Sequence, residues 1–182
     1  MYYDVIMAGF GGQGIQIISQ ILAFAAIKKG LELTFLPSYG VEKRGGRTNV
    51  TLVISDEEIG SPITNHPLSV LAMDRIAVEK YGPEVMKNGL LIANTSLIPS
   101  DLLSRDDITT VGVPCNDEAI QMGNPKLANM IALGAFLEKT KVLDFEDIEA
   151  VIADVIPERL KNLIPANLDA VRRGMSIVAG MN

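Results

Sequence analysis

The chain opens with a strand, a glycine turn and a helix. Tyr3–Met7 is a short apolar run with β-branched content, broken by Gly9-Phe10-Gly11-Gly12-Gln13-Gly14. Residues Ile15–Lys29 follow with no Pro or Gly, and Gly30 stops them, which predicts a helix. Its apolar side chains cover most of the circumference. Gln13, Gln16, Ser19 and Gln20 form its only polar stripe, so it is expected to be covered on more than one side.

Leu31–Leu36 predicts a second strand ending at Pro37, and Asn49–Ser55 a third whose alternation implies one wetter face. Further strands are expected at Ser69–Ala72, Leu90–Ala93 and Thr109–Val113, with a helix around Asp74–Lys80. After Pro114 the pattern turns helical. Asn124-Pro125 reads as a helix start, and Leu127–Leu137 carries no charge, so that helix should be buried nearly all round. Glu138–Glu158 reads as a surface helix with a solvated acidic face, and Asn167–Val178 as the last helix. Strands alternating with helices predict an α/β fold: three layers, α/β/α, around a mostly parallel or mixed sheet, with a helical C-terminal part, in a single domain over 1–182.

Composition narrows the chemistry. The 182 residues carry a net charge of −6, which argues against a general nucleic-acid or anionic-membrane surface. No apolar run approaches the roughly 20 residues of a spanning helix. One Cys allows no internal disulfide and no iron–sulfur or Cys-based zinc site from this chain alone. Met1–Gly12 has no cationic start and no cleavage signal, so a reduced cytoplasmic compartment is expected.

Gly9, Gly11 and Gly14 satisfy G-x-G-x-x-G in its strand-to-helix context, where glycine lets an anion approach backbone N–H groups and a positive helix end. A dinucleotide reading also needs an acid near the end of the second strand. That end is Thr34-Phe35-Leu36-Pro37-Ser38, and the nearby Glu32 sits at the strand's beginning. An NAD site, a ligand-free tight turn, and a site for another phosphate or cofactor group all remain open. The connection Ser38–Arg47 holds three cations, Lys43, Arg44 and Arg47, against one acid, Glu42, in an otherwise acidic chain. Gly40, Gly45 and Gly46 let it turn, and the arginine forks suit phosphate or carboxylate. The alternative is an ordinary solvated hairpin loop. If the sheet is parallel there, this loop and the glycine turn meet at one sheet edge.

Gly-Phe-Gly-Gly-Gln-Gly at 9–14, together with Pro37-Ser38-Tyr39-Gly40-x-Glu42-x-Arg44-Gly45-Gly46, resembles the gamma subunit of the 2-oxoacid:ferredoxin oxidoreductases. So do Val53-Ile54-Ser55-Asp56-Glu57-Glu58-Ile59 with Pro62, and Asn129 with Leu133-Gly134-Ala135. The variable motif positions hold Val41 and Lys43, which bears on the substrate more than on the family. The resemblance implies a complex that oxidatively decarboxylates a 2-oxoacid, 2-oxoglutarate favoured, with coenzyme A, giving acyl-CoA, CO2 and reduced ferredoxin. It places thiamine diphosphate, Mg and 4Fe-4S clusters on partner chains: alpha and beta subunits and a ferredoxin-like delta subunit. This chain would hold none of them alone and would be inactive, self-associating when made by itself.

On that reading the cofactor-facing residues are Gly9, Gly11, Gly12, Gln13, Gly14, Ser38, Tyr39, Gly40, Glu42, Arg44, Gly45, Gly46 and Asn129, with Arg44 the preferred phosphate or carboxylate contact. No catalytic residue and no metal ligand are assigned. Surplus apolar surface on the helices at 15–27 and 127–137 would go to subunit contacts. Cys115 and His66 read as structural or incidental, and Asp56-Glu57-Glu58 as a solvated turn. The rival readings are a small NAD-dependent oxidoreductase and a non-catalytic ligand-binding scaffold.

Overall fold

The computed structural model of the chain describes residues 1–39 and 46–181. Strand β1 (Tyr2–Phe10) leads through the glycine turn into helix α1 (Ile15–Lys28), and strands β2 (Glu32–Tyr39) and β3 (Arg47–Ser55) follow. Then come β4 (Ser69–Ala72), α2 (Arg75–Tyr81), β5 (Leu90–Asn94), β6 (Thr109–Val113) and α3 (Cys115–Gln121). The C-terminal part is α4 (Ala128–Thr140), α5 (Phe145–Glu149), α6 (Ile152–Val155) and α7 (Ile164–Val178).

The six strands form one sheet in the order β2-β3-β1-β4-β5-β6. β1, β4, β5 and β6 pair in parallel, while β3 runs antiparallel to both β1 and β2. The sheet is therefore mixed, with a β-hairpin inserted beside β1. Alternate residues divide two cores. Val5, Met7, Leu52 and Leu71 pack towards α1, α4 and the C-terminal helices. Ile6, Ala8, Val70 and Ala72 pack towards α2 on the opposite face. This is the three-layer arrangement that alternating strands and helices predict.

Several local expectations change. β2 continues through Pro37 to Tyr39, because the strand lies at the sheet edge, where a missing N–H costs no ladder bond. β3 has no wet face: its last six residues are all buried, because β1 and β2 flank it and α1 covers it. The acidic segment is not one helix. Lys141, in the left-handed conformation with φ 52°, ends α4, and the Asp144–Asp147 capping box starts the short α5. Asn124-Pro125 opens a 3-10 turn, Pro125–Leu127, before α4 begins.

Every residue of α4 from Ala128 to Leu137 is buried. Its cover comes from this chain rather than from a partner, since α7 lies along it at near-backbone contact. A Cβ on Gly134 would run into the Val171 carbonyl, and one on Gly174 into the Ile131 carbonyl. α1 is covered by the sheet, α4, α5 and α6, leaving Phe24 and Ile27 exposed. Of the two helices expected to offer surplus apolar surface to partners, α4 offers none.

Candidate functional site

The glycine turn is tightly determined. Gly12 and Gly14 adopt φ of 100° and 77°, conformations L-residues rarely take. Gln13 braces the turn: its Oε1 accepts from the Phe10 N–H at 2.7 Å and its Nε2 donates to the Met73 carbonyl at 3.2 Å. A Cβ on Gly9 would strike that Oε1. Gln13 is thus a strut of the turn, and its amide is engaged within the chain. At the other end, Asn129 of α4 reaches across and donates from Nδ2 to the Gly14 carbonyl at 3.3 Å. A Cβ on Gly14 would collide with that side chain. Asn129 is therefore part of the same structure as the turn, although the two are far apart in sequence.

The hairpin brings the second candidate stretch to the same place. β2 runs parallel to β1 because β3, antiparallel to both, lies between them. Phe10 is registered with Arg47, and the Gly11 N–H donates to the Gly46 carbonyl at 2.8 Å. The described ends of the second stretch, Ser38-Tyr39 and Gly46-Arg47, lie with the glycine turn at the C-terminal end of β1. Ser38 is exposed at this rim and Tyr39 ends β2. Gly40, Glu42, Arg44 and Gly45 lie outside the described residues.

Two clefts flank the turn. On the α2 side a small cleft of about 30 Å³ lies among Gly9, Arg47, Asn49, Asp74, Lys80 and Tyr81. Lys80 sits over the Tyr81 ring at 4.8 Å, and Asp74 is buried with its carboxylate capping the Ala77 N–H at 3.0 Å. On the other side a cleft of about 360 Å³ opens between Gly12–Gly14 and the C-terminal helical part, with Asn124, Lys126, Asn129 and Asn167 among its polar lining. Lys80, Asp74, Lys126 and Asn167 escaped the sequence reading. Nothing local marks them, because they reach the turn only through the packing of α2, α4 and α7.

Further along the same sheet edge, Asn94 donates from Nδ2 to the Met73 carbonyl at 3.1 Å and to Asn116 Oδ1 at 2.7 Å, while its Oδ1 accepts from the Cys115 N–H. Burial pushes the Cys115 thiol up to about 12, so it stays protonated at neutral pH and is no nucleophile. His66 is exposed, 3.8 Å from Glu84 and away from the turn. Among the described residues no cluster of three or more His, Cys, Asp or Glu could hold a metal. No helix among them is long and apolar enough to cross a membrane.

The dinucleotide reading loses ground on topology as well as on the missing acid. In the dinucleotide fold the strand after the first helix lies beside β1. Here β3 occupies that position.

Residues 4–177 match the pyruvate ferredoxin/flavodoxin oxidoreductase family. The chain belongs to that family. It is 31% identical over 181 residues to the 2-oxoglutarate synthase subunit KorC of Methanocaldococcus jannaschii, covering 97% of this chain and 94% of that one. Among solved structures it resembles the gamma subunit of a keto/oxoacid ferredoxin oxidoreductase from Geobacter sulfurreducens, with a TM-score of 0.80 at 26% identity over 97% of this chain and 95% of that one. The 2-oxoglutarate:ferredoxin oxidoreductase of Magnetococcus marinus, solved with 2-oxoglutarate, coenzyme A and succinyl-CoA bound, shares the fold at a TM-score of 0.89 and 20% identity. All of this chain aligns with 32% of that longer one. The fold thus occurs both as a separate chain of this size and as one part of a longer polypeptide.

Proposed function

We propose that this chain is the gamma-type subunit of a complex that oxidatively decarboxylates a 2-oxoacid with coenzyme A and passes the electrons to ferredoxin. The observation that carries the reading is the joining of the glycine turn to the hairpin through the Gly11–Gly46 hydrogen bond, within a family match spanning nearly the whole chain. The rim so formed carries Gly12 and Gly14, which have no side chains, and Arg47 and Lys80 stand beside it. Such a rim binds phosphate by charge and by fixed backbone dipoles.

The residues of this chain do not fit a cluster or thiamine diphosphate centre. It has a single Cys, buried and protonated, and among the described residues no activated base stands at the rim. Its part is to bind and orient: the rim holds the anionic co-substrate while partner chains, alpha and beta with a ferredoxin-like delta, supply the redox groups. 2-oxoglutarate is the favoured oxoacid, supported by the likeness to KorC.

Co-expression with alpha, beta and ferredoxin-like partner chains tests the reading. The complex is expected to reduce ferredoxin with a 2-oxoacid only when coenzyme A is present, with the highest kcat/KM for 2-oxoglutarate over pyruvate and 2-oxoisovalerate. The isolated chain is expected to show no turnover. Turnover by the isolated chain, or an NAD-dependent reaction, would sink the proposal.

A further inference from the structure

Asn94 ends β5 and is 1% exposed, with both ends of its amide in use. Its Oδ1 accepts from the Cys115 N–H at 3.1 Å, at the start of α3. Its Nδ2 donates to Asn116 Oδ1 at 2.7 Å and to the Met73 carbonyl at 3.1 Å. One backbone donor and one backbone acceptor fix which way round the amide lies. The Met73 carbonyl accepts a second bond, from Gln13 Nε2 at 3.2 Å, which fills its two lone pairs. Asn94 and Gln13 therefore meet on one oxygen. The Met73 N–H donates to the Ala8 carbonyl at 2.9 Å, so the ends of β1, β4 and β5 are joined at this residue.

This junction lies where the sheet changes sides. α1, which follows β1, covers one face, and α2, which follows β4, covers the other. Ligands of open α/β sheets bind at such a point. The peptide that carries the Met73 carbonyl also carries the Asp74 N–H, and Asp74 caps α2, the helix that bears Lys80. The orientation of that one peptide thus sets both the brace of the glycine turn and the start of α2. We propose that Asn94 is a positioning residue for the co-substrate rim. By fixing the Met73–Asp74 peptide, it gives Gln13 its acceptor, and Gln13 in turn holds the Phe10 N–H and the shape of the turn. Asn94 is buried and acts only through Met73 and Gln13. This inference rests on the proposal above that the rim holds coenzyme A.

Steady-state kinetics of the assembled complex test it. Asn94→Ala is expected to raise the KM for coenzyme A about tenfold, the scale of one lost hydrogen bond, while kcat and the KM for the 2-oxoacid stay at their wild-type values. A merely structural loss lowers the amount of active complex, and so kcat, without moving the KM. Gln13→Met removes the brace directly and is expected to give a similar rise, to which Asn94→Ala adds nothing further. Asn116→Ala removes the other acceptor of Asn94 but leaves the Met73 bond, and is expected to keep the wild-type KM. Asn94→Ser retains a hydroxyl for the buried partners and carries the test if Asn94→Ala fails to assemble, with a rise in the same KM expected. An unchanged KM for coenzyme A, or rises that multiply in the double variant, overturn the positioning role and leave the proposed function standing. A wild-type complex that turns over without coenzyme A removes the function and this inference together.

Discussion

Gly12 and Gly14 look alike in the sequence, but the structure gives them different burdens. Both hold positive φ, so any L-residue there is strained. Only Gly14 also has a neighbour in the way: Asn129 occupies the space its Cβ would take, whereas nothing lies near a Cβ on Gly12. Gly14→Ala is therefore expected to cost about 2–4 kcal/mol and Gly12→Ala about 1–3, from the strain and overpacking scales. Urea unfolding midpoints measure both. Asn129→Ala should relieve part of the Gly14→Ala penalty, since removing the obstructing side chain leaves only the backbone strain. Additive losses in that double-mutant cycle would show that Asn129 does not wedge the turn.

The α4–α7 pair decides the C-terminal wall of the larger cleft. Two glycines, one per helix, allow the backbones to approach until each Cα faces the other helix's carbonyl. Gly134→Ala is expected to lower stability by about 2–4 kcal/mol, because the added methyl meets rigid backbone instead of a movable side chain. Gly180→Ala, where a Cβ meets nothing, is expected to leave the unfolding midpoint within about 0.5 kcal/mol of wild type. An equal effect at both positions would mean the helices do not pack this closely. The β2–β3 hairpin matters in the same way. By inserting an antiparallel strand beside β1, it brings Tyr39 and Gly46 to the end of β1 where the glycine turn lies.

Taken whole, the molecule buries α4 against itself and still leaves apolar side chains outside. Phe10 and Leu36 are 38% and 40% exposed, and the strand register places them on one sheet face. Exposed apolar side chains that share a sheet face give a second copy a surface to pack on. The isolated chain is expected to self-associate with rising concentration, and the double change Phe10→Ser with Leu36→Ser to move that association to about tenfold higher concentration in sedimentation velocity. A chain that stays monomeric throughout would discount this face.

The strands, the first and fourth helices and the glycine turn were all legible in the sequence, because apolar periodicity and glycine placement act locally. So was the family, because its two motifs are contiguous runs of residues. Other features were not legible. The break in the acidic segment depends on one left-handed lysine and a capping box. The dryness of β3 depends on which strands flank it. Lys80, Lys126 and Asn167 came to the turn through helix packing that no local pattern records, since side chains remote in sequence become neighbours only when the cores close.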